Sequence, residues 1–164
     1  MAKDKDLKTN AMRQLDRAKI PYVARYYDHD PRDEFSGVII AEEMGDDASI
    51  CYKTLVTEGK TGNHYVFVLP VAEELDMKKA AKAVGEKSIA MVHVKDIEKI
   101  TGYIRGGCSP VGMKKQFKTV IDATAEPLEY FHISGGKMGT QLECRPTDIA
   151  KLVRAQFVDI LQTP

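Results

Sequence analysis

The sequence predicts an α/β protein that forms a single domain, with a mixed, mostly antiparallel and strongly curved sheet and helices packed outside it. Short runs rich in β-branched and aromatic residues alternate with segments whose apolar residues recur at helical spacing. Hairpin-length connections dominate over the longer crossovers that parallel neighbours need. A chain of 164 residues without a repeat or a linker-like segment fits one domain, residues 1–164, with residues 1–8 as a flexible tail.

The N-terminal part predicts a helix, a strand and a second short helix. Residues 8–10 can cap a helix, because apolar positions recur at helical spacing after them: Ala11, Met12, Leu15 and Ala18. Pro21 ends this helix, and residues 22–27 follow as a strand. A polar turn at residues 28–33 then leads to a short helix within residues 35–44, which ends at Gly45.

The middle of the chain predicts a hairpin and then a helix. Residues 50–57 and 64–69 are expected to pair in antiparallel fashion, because residues 58–63 between them form a turn with two glycines. Residues 75–84 read as a helix that ends at Gly85. A strand at residues 88–93 and a short helix at residues 95–100 complete this part.

The C-terminal part predicts three strands and a long helix. The strands are expected at residues 119–123, 128–134 and 140–144. A final helix begins at residues 145–148 and runs to Leu161. Its apolar face is predicted to carry six residues: Ile149, Leu152, Val153, Gln156, Phe157 and Ile160.

Composition limits the classes of function. Twenty-four basic and twenty-four acidic residues cancel, so the chain lacks the overall positive charge of a typical nucleic-acid binder. A nucleic-acid ligand would therefore need a local basic patch, or a partner that delivers it. Three cysteines without a CxxC pair fit free thiols in a reducing cytoplasm. Neither a secretion signal nor a membrane-length apolar run is visible, which predicts a cytoplasmic protein.

Two glycine-rich loops stand out as a candidate site. Residues 102–112 hold four glycines and a proline, and residues 134–137 hold a further diglycine after Ser134. Such loops can present backbone N–H groups to an anionic or carbonyl-bearing ligand. Tight turns are the structural alternative. Lys53 adds a positive charge. It lies in a predicted strand, on the same face as Cys51 and Leu55. That lysine either protects a sheet edge or acts in a site.

Several segments share an order and a spacing with a known family. They are residues 26–31, Phe35, and residues 52–55, 75–81, 101–103, 106–110 and 133–137. Together they resemble the YbaK/EbsC family, the free-standing aminoacyl-tRNA deacylases related to the editing domain of bacterial prolyl-tRNA synthetases. The resemblance extends from about Asn10 to Leu161. It implies a barrel-like α/β domain with a pocket at one side.

The resemblance also implies an activity, namely hydrolysis of mischarged Cys-tRNA(Pro) by trans-editing. In such family members the thiol of the substrate attacks its own ester carbonyl and forms a thiolactone, so that no protein nucleophile is needed. Aminoacyl-tRNA is the implied ligand, and prolyl-tRNA synthetase is the implied partner. The resemblance implies no metal and no cofactor.

The family's functional positions map onto two groups of residues. The catalytic positions are Lys53 and Ser134. The substrate-binding positions are Tyr27, Phe35, Gly106, Gly107, Ser109, Gly135, Gly136 and Gln141. Two positions depart from the pattern, because some members have an aspartate where this chain has Gln141 and an aliphatic residue where it has Cys108.

Other interpretations remain open at this stage. Tyr27 and Phe35 are equally suited to core packing, and Ser134 to a local loop hydrogen bond. Cys108 with a histidine would suggest a cysteine hydrolase, although no signature of that class is present. The helix that contains Lys78 and Lys82 fits a solvated face, with contact to the tRNA backbone as the alternative. At the level of function, a deacylase for Ala- or Ser-charged tRNA and a non-catalytic binding module are the alternatives.

Overall fold

The computed structural model describes residues 8–27 and 37–162. These residues form five α-helices: α1 (Asn10–Arg17), α2 (Gly37–Met44), α3 (Met77–Val84), α4 (Val94–Thr101) and α5 (Pro146–Val153). They also form eight strands: β1 (Val23–Tyr26), β2 (Tyr52–Gly59), β3 (His64–Pro70), β4 (Ile89–Met91), β5 (Lys118–Asp122), β6 (Phe131–Ser134), β7 (Thr140–Cys144) and β8 (Gln156–Val158). Phe35, the turn predicted at residues 28–33 and residues 1–7 of the predicted tail lie outside the described residues.

The strands form two sheets. A three-stranded antiparallel sheet has the order β1–β7–β6. A five-stranded sheet has the order β4–β2–β3–β5–β8, in which β4, β2 and β3 are antiparallel while β5 and β8 are parallel to β3 and to each other. The prediction of a mixed, mostly antiparallel α/β fold is confirmed, as is the β2–β3 hairpin, in which Tyr52 pairs with Pro70 and Glu58 with His64.

The structure differs in one respect from the predicted barrel-like sheet. One isolated parallel bridge, between Cys51 and His132, links the two sheets. Because only this pair of residues makes ladder contact across the seam, the strands described here do not close into one barrel. Both sheets instead contribute side chains to one shared core.

Two hydrophobic cores lie on opposite faces of the five-stranded sheet. The first contains Val68 and Ile121 from that sheet and Phe131 and Leu142 from the other, together with residues of α1 and α5 such as Leu15. The second contains Phe67, Leu69, Val120 and Ile160, with α3 packed over them. Strand neighbours such as Phe67 and Val68 therefore belong to different cores, as the two-residue period of a strand requires.

The predicted long C-terminal helix is wrong beyond residue 153. Arg154 adopts a left-handed conformation with φ 58°, and its N–H donates to the Ala150 and Lys151 carbonyls, which ends α5. Residues 156–158 then form β8, parallel to β5. The spacing of Phe157 and Ile160 fits a helix face, whereas Phe157 pairs with the edge of β5. Ile160 lies beyond β8, where its N–H donates to Asp122 Oδ1 at 3.1 Å.

Side-chain caps define two of the predicted helices. Thr9 Oγ1 accepts the Met12 N–H at 3.2 Å at the start of α1. Asp76 caps α3 by accepting the N–H groups of Lys78 and Lys79 at 2.9 and 3.0 Å, which delays the start of this helix to Met77. Within the described ranges, no helix has the length and apolarity that a bilayer crossing requires.

Candidate functional site

A cavity of about 410 Å³ lies between β2, the start of α4 and the two glycine-rich loops. Apolar side chains from β2, β4 and α4 form most of its wall. Five of the residues predicted from the sequence line it: Tyr27, Lys53, Gly106, Ser134 and Gln141. Cys108, noted as a departure from the family pattern, lines it as well. The structure thus brings together residues that lie more than one hundred positions apart in the chain.

Lys53 supplies a positive charge at this cavity. It lies on β2 opposite Leu69 of β3, and β4 pairs with β2 only from Thr57 onward. The strand is therefore open on one side at Lys53, and that opening forms the cavity wall rather than a solvent-facing edge. Within the described parts of the chain, Lys53 has neither an ion-pair nor a hydrogen-bond partner, so its charge is available to a ligand.

The glycine-rich loops provide fewer donors than their composition suggests. The Gly107 N–H donates to the Ile104 carbonyl at 3.0 Å, and the Gly135 N–H donates to the Thr140 carbonyl at 2.8 Å. The Gly136 N–H donates to Ser134 Oγ at 3.2 Å, which is the local loop bond considered for that serine. By contrast, the N–H groups of Gly106 and Cys108 donate to no acceptor in the described ranges. Because both residues line the cavity, their N–H groups are better candidates to stabilise an oxyanion than those that already have an acceptor.

The other predicted glycine and serine positions have structural roles. A Cβ atom added to Gly107 would lie 3.0 to 3.1 Å from the backbone of Lys137, so the two loops pack through their backbones. Gly135 is similarly close to Thr140. Ser109 is fully buried, and its Oγ accepts the Val111 N–H at 3.3 Å. Among the predicted binding positions, Gly107, Ser109, Gly135 and Gly136 do not line the cavity.

Two buried oxygen atoms at the cavity have no hydrogen-bond partner among residues 8–27 and 37–162. They are Gln141 Oε1 and Thr54 Oγ1, and both residues line the cavity. A buried polar atom without a partner costs about 1–3 kcal/mol, so a ligand that donates to it would recover that cost. Thr54 was not among the predicted binding residues, although it follows Lys53 directly in the recognised segment. Arg105, a second cation at the cavity, was also missed despite its place in the glycine-rich loop.

A buried polar cluster lies beside the cavity at the seam of the two sheets. Arg25 Nη1 donates to Asp46 Oδ2 at 2.8 Å and lies 3.0 Å from His132 Nδ1. His132 Nε2 lies 2.9 Å from Glu143 Oε2, and Cys51 Sγ lies 3.7 Å from His132 Nδ1. Arg25, His132 and Glu143 belong to the three-stranded sheet, and Cys51 directly precedes β2 of the other sheet, so the cluster lies next to the Cys51–His132 bridge.

The same cluster offers a possible set of metal ligands. Ligand atoms of Asp46, Cys51 and His132 lie within 4.8 Å of one another, and such donors suit zinc. However, the guanidinium of Arg25 already lies within hydrogen-bond distance of Asp46 and His132, where it supplies the positive charge that a metal would otherwise bring. The residues therefore fit an arginine-neutralised cluster better than a metal centre.

The cavity thiols are poorly suited to act as nucleophiles. Burial, reinforced by the negative charge of Asp46, raises the pKa of the Cys51 thiol to about 11. Burial also raises the pKa of Cys108 to about 11. Because the thiolate is the nucleophile, both thiols are almost entirely protonated at neutral pH.

Because the Cys51 and Cys108 thiols are protonated, we predict that alkylating reagents modify them slowly. At pH 7.5 we expect iodoacetamide to modify Cys51 and Cys108 at least about tenfold more slowly than a free cysteine thiol, whose pKa is near 8.5. The rate should increase steadily up to about pH 10, because no low-pKa thiolate is present. Mass spectrometry of each cysteine peptide over this pH range would measure it. Rapid modification of Cys108 at pH 7.5 would instead indicate an activated thiol.

Comparisons with known proteins show the family of this chain. The aminoacyl-tRNA editing domain matches residues 39–152. A relative from Enterococcus faecalis, EbsC, whose name presents it as a candidate Cys-tRNA(Pro)/Cys-tRNA(Cys) deacylase, is 45% identical over 161 residues, which is 98% of either chain. A solved structure described as a candidate trans-editing enzyme for prolyl-tRNA synthetase has a TM-score of 0.78 at 22% identity, over 96% of this chain and 99% of that one.

A second solved structure, of a hypothetical protein, has a TM-score of 0.84 at 19% identity, over 93% of this chain and 99% of its own. At these identities the structural likenesses show the fold. The family itself follows from the domain match and from the relative that covers nearly the whole chain. The chain therefore belongs to the aminoacyl-tRNA editing domain family and is a YbaK/EbsC-type member of it.

Proposed function

We propose that this protein is a trans-editing aminoacyl-tRNA deacylase that removes cysteine from mischarged tRNA(Pro). The observation that carries the proposal is the cavity, whose lining includes the Lys53 cation and two residues with a buried oxygen that has no hydrogen-bond partner among the described residues, Thr54 and Gln141. A cavity of about 410 Å³ is at the small end of ligand sites, which suits an aminoacyl group rather than a whole nucleotide chain. The proposal treats residues 1–164 as one deacylase domain.

The unpartnered oxygens fit the amino group of the substrate. An α-ammonium carries three N–H donors, and Thr54 Oγ1 and Gln141 Oε1 can accept two of them. A glutamine at this position accepts a hydrogen bond without adding a negative charge. Lys53 and the Gly106 and Cys108 N–H groups then remain for the ester oxygens and the terminal nucleotide. Each of these five residues thus has a complementary group on an aminoacyl ester.

The chemistry is proposed to use the substrate's own thiol. The cavity thiols of the protein are held protonated, and Ser134 Oγ accepts the Gly136 N–H without a basic side chain bonded to it among the described residues. The substrate sulfur attacks the ester carbonyl carbon, and the resulting oxyanion is stabilised by backbone N–H groups and Lys53. The carbon–oxygen bond to the ribose then breaks. The ribose oxygen takes up the proton that the thiol lost, which leaves tRNA and a cysteine thiolactone.

Prolyl-tRNA synthetase is the proposed partner. The chain has no net charge, so its own hold on tRNA rests on local contacts. A synthetase that already binds tRNA(Pro) would raise the effective concentration of the aminoacyl end at the cavity. Co-migration of the two proteins on a sizing column with and without tRNA(Pro) would measure this association.

Single-turnover deacylation tests the proposal. We expect Cys-tRNA(Pro) to lose its amino acid at least about 100-fold faster than Ser-, Ala- or Pro-tRNA(Pro), with thiolactone as the first product, since only cysteine carries the thiol. If alanine or serine were released faster than cysteine, the protein would still be a deacylase, but its mechanism would require attack by water or a ribose hydroxyl. Binding without turnover of any substrate would instead indicate a non-catalytic module.

The same reaction has an expected pH dependence. Below the thiol pKa of about 8.5, the rate for Cys-tRNA(Pro) should rise about tenfold per pH unit, because the thiolate fraction rises with it. Rates without enzyme, measured in the same buffers, provide the correction for spontaneous hydrolysis. A flat profile between pH 6 and 8 would contradict thiolate attack as the rate-determining step.

A further inference from the structure

We infer that a basic groove on the surface of α1, next to residues 112–116, binds the phosphate backbone of the tRNA whose aminoacyl end enters the cavity. The groove encloses about 340 Å³ and is lined by eight residues: Asn10, Arg13, Gln14, Arg17, Gly112, Met113, Lys114 and Gln116. Three of them are cations and none is acidic. The inference rests on the proposed function, because that function supplies the aminoacyl-tRNA.

The cations of the groove are available to an outside anion. Arg13 donates to the uncharged amide oxygen of Asn10 at 3.3 Å, and neither Arg17 nor Lys114 contacts a carboxylate in the described ranges. The nearby acidic residue of α1, Asp16, is occupied by Lys8. Exposed cations without acidic neighbours attract phosphates and release counterions when they bind them.

The fold holds the two sides of the groove together. Gln14 Oε1 accepts the Gly112 N–H at 2.6 Å, so the loop is tied directly to α1. Gly112 packs so closely that an added Cβ would lie 2.6 Å from the backbone of Ala11. The cations of the helix and those of the loop therefore keep a fixed spacing, as recognition of successive phosphates requires.

One loop connects the groove to the cavity. Arg105, Gly106 and Cys108 line the cavity, and the same loop lines the groove from Gly112 onward. Gly112 lies six positions after Gly106, so these two residues are at most about 22 Å apart. Lys115 and Lys118 extend the positive charge along an adjoining hollow that shares Gln116 with the groove. A tRNA that places its ester in the cavity can thus lay its backbone along this surface.

The charge distribution favours nucleic acid over a protein partner. The sequence as a whole is neutral, so a groove without acidic side chains is a local departure from its composition. The lining is also mainly polar, with Met113 as its one large apolar residue. A surface of cations and amides without an apolar centre is typical of phosphate contacts and lacks the buried anchors of a protein interface.

A double variant tests the groove. Arg13→Gln with Lys114→Gln should raise KM for Cys-tRNA(Pro) about tenfold or more and leave kcat unchanged, because each lost phosphate contact weakens binding uniformly. Its affinity for uncharged tRNA(Pro), measured by fluorescence anisotropy, should depend less on salt, with the log–log slope reduced by about two. Cleavage of 3′-O-cysteinyl adenosine, which has no backbone to bind, should be unaffected.

The matched control removes the same charge from another surface. Lys87→Gln with Lys151→Gln changes two exposed lysines that line neither the groove nor the adjoining hollow, and we expect KM and the salt slope to stay at the wild-type values. An unchanged salt slope in the groove variant, or an equal loss in this control variant, would overturn the inference. If the protein deacylates no aminoacyl-tRNA, the proposed function fails, while the anisotropy measurement with uncharged tRNA still decides whether the groove binds it.

Discussion

Replacing Lys53 with methionine is expected to lower kcat/KM for Cys-tRNA(Pro) by about 10²–10³-fold without unfolding the protein. The ammonium lies at the cavity and has no partner in the described parts of the chain, so its charge is free for the oxyanion or the terminal nucleotide. Loss of one preorganised group that stabilises developing charge typically costs this much in rate. Methionine keeps most of the length and volume of the side chain, which limits repacking of β2.

Lys60→Met is the matched control for that experiment. Lys60 is exposed in the turn between β2 and β3, so the same chemical change there should leave turnover within about twofold of wild type. Circular dichroism melts of both variants would show that the fold is retained. Near-normal turnover by Lys53→Met would rule out a catalytic role for this lysine.

Replacing Gly112 with alanine is expected to destabilise the protein by about 2–4 kcal/mol. Gly112 has φ 80°, and its Cβ would lie 2.6 Å from the Ala11 N atom and from the Tyr103 hydroxyl. The variant therefore combines left-handed strain with a clash against the backbone, and either the loop or α1 must shift. Urea unfolding followed by circular dichroism would measure the change in the free energy of unfolding.

Gly62→Ala is the control that measures the cost of the left-handed conformation without the steric clash present in Gly112→Ala. Gly62 has a similar φ of 91°, but no atom lies within 4 Å of the added Cβ. This variant should cost only the left-handed strain, about 1–2 kcal/mol. Equal losses in the two variants would show that the close contact of Gly112 with α1 contributes nothing. A smaller loss of unfolding free energy in Gly112→Ala than in Gly62→Ala would contradict the packing described for this loop.

Elements defined by local signals were predictable from the sequence. The β2–β3 hairpin follows from two β-rich runs around a turn with glycines, and the end of α3 follows from Gly85, whose φ is 75°. The β8 strand was missed because Arg154, rather than a glycine, adopts the left-handed conformation that ends α5. The parallel pairing of β8 with β5 joins segments about 36 residues apart, and periodicity within one segment carries no information about such a partner.

The resemblance to the YbaK/EbsC family named residues that lie far apart in the chain. The structure places Lys53, Gln141 and Ser134 at one cavity, and their roles there stay predictions. The contact of Arg25 with His132 spans 107 positions, and no local pattern marks either residue, so the buried cluster was not foreseen. For the glycine-rich loops, composition suggested backbone N–H groups that are free to bind an anion. In the structure most of the predicted N–H groups donate to acceptors of the protein instead.

The late position of β8 in the chain has a consequence for synthesis on the ribosome. Ile160 is fully buried in the second core, and its carbonyl accepts the Asp76 N–H at 2.8 Å. The Gln162 N–H donates to the Glu74 carbonyl at 3.0 Å, so these residues also tie down the start of α3. A nascent chain that has not yet released residues 156–162 therefore leaves the edge of β5 unpaired and part of this core exposed. During that interval the unpaired edge can pair with other chains, so this step of synthesis is exposed to aggregation.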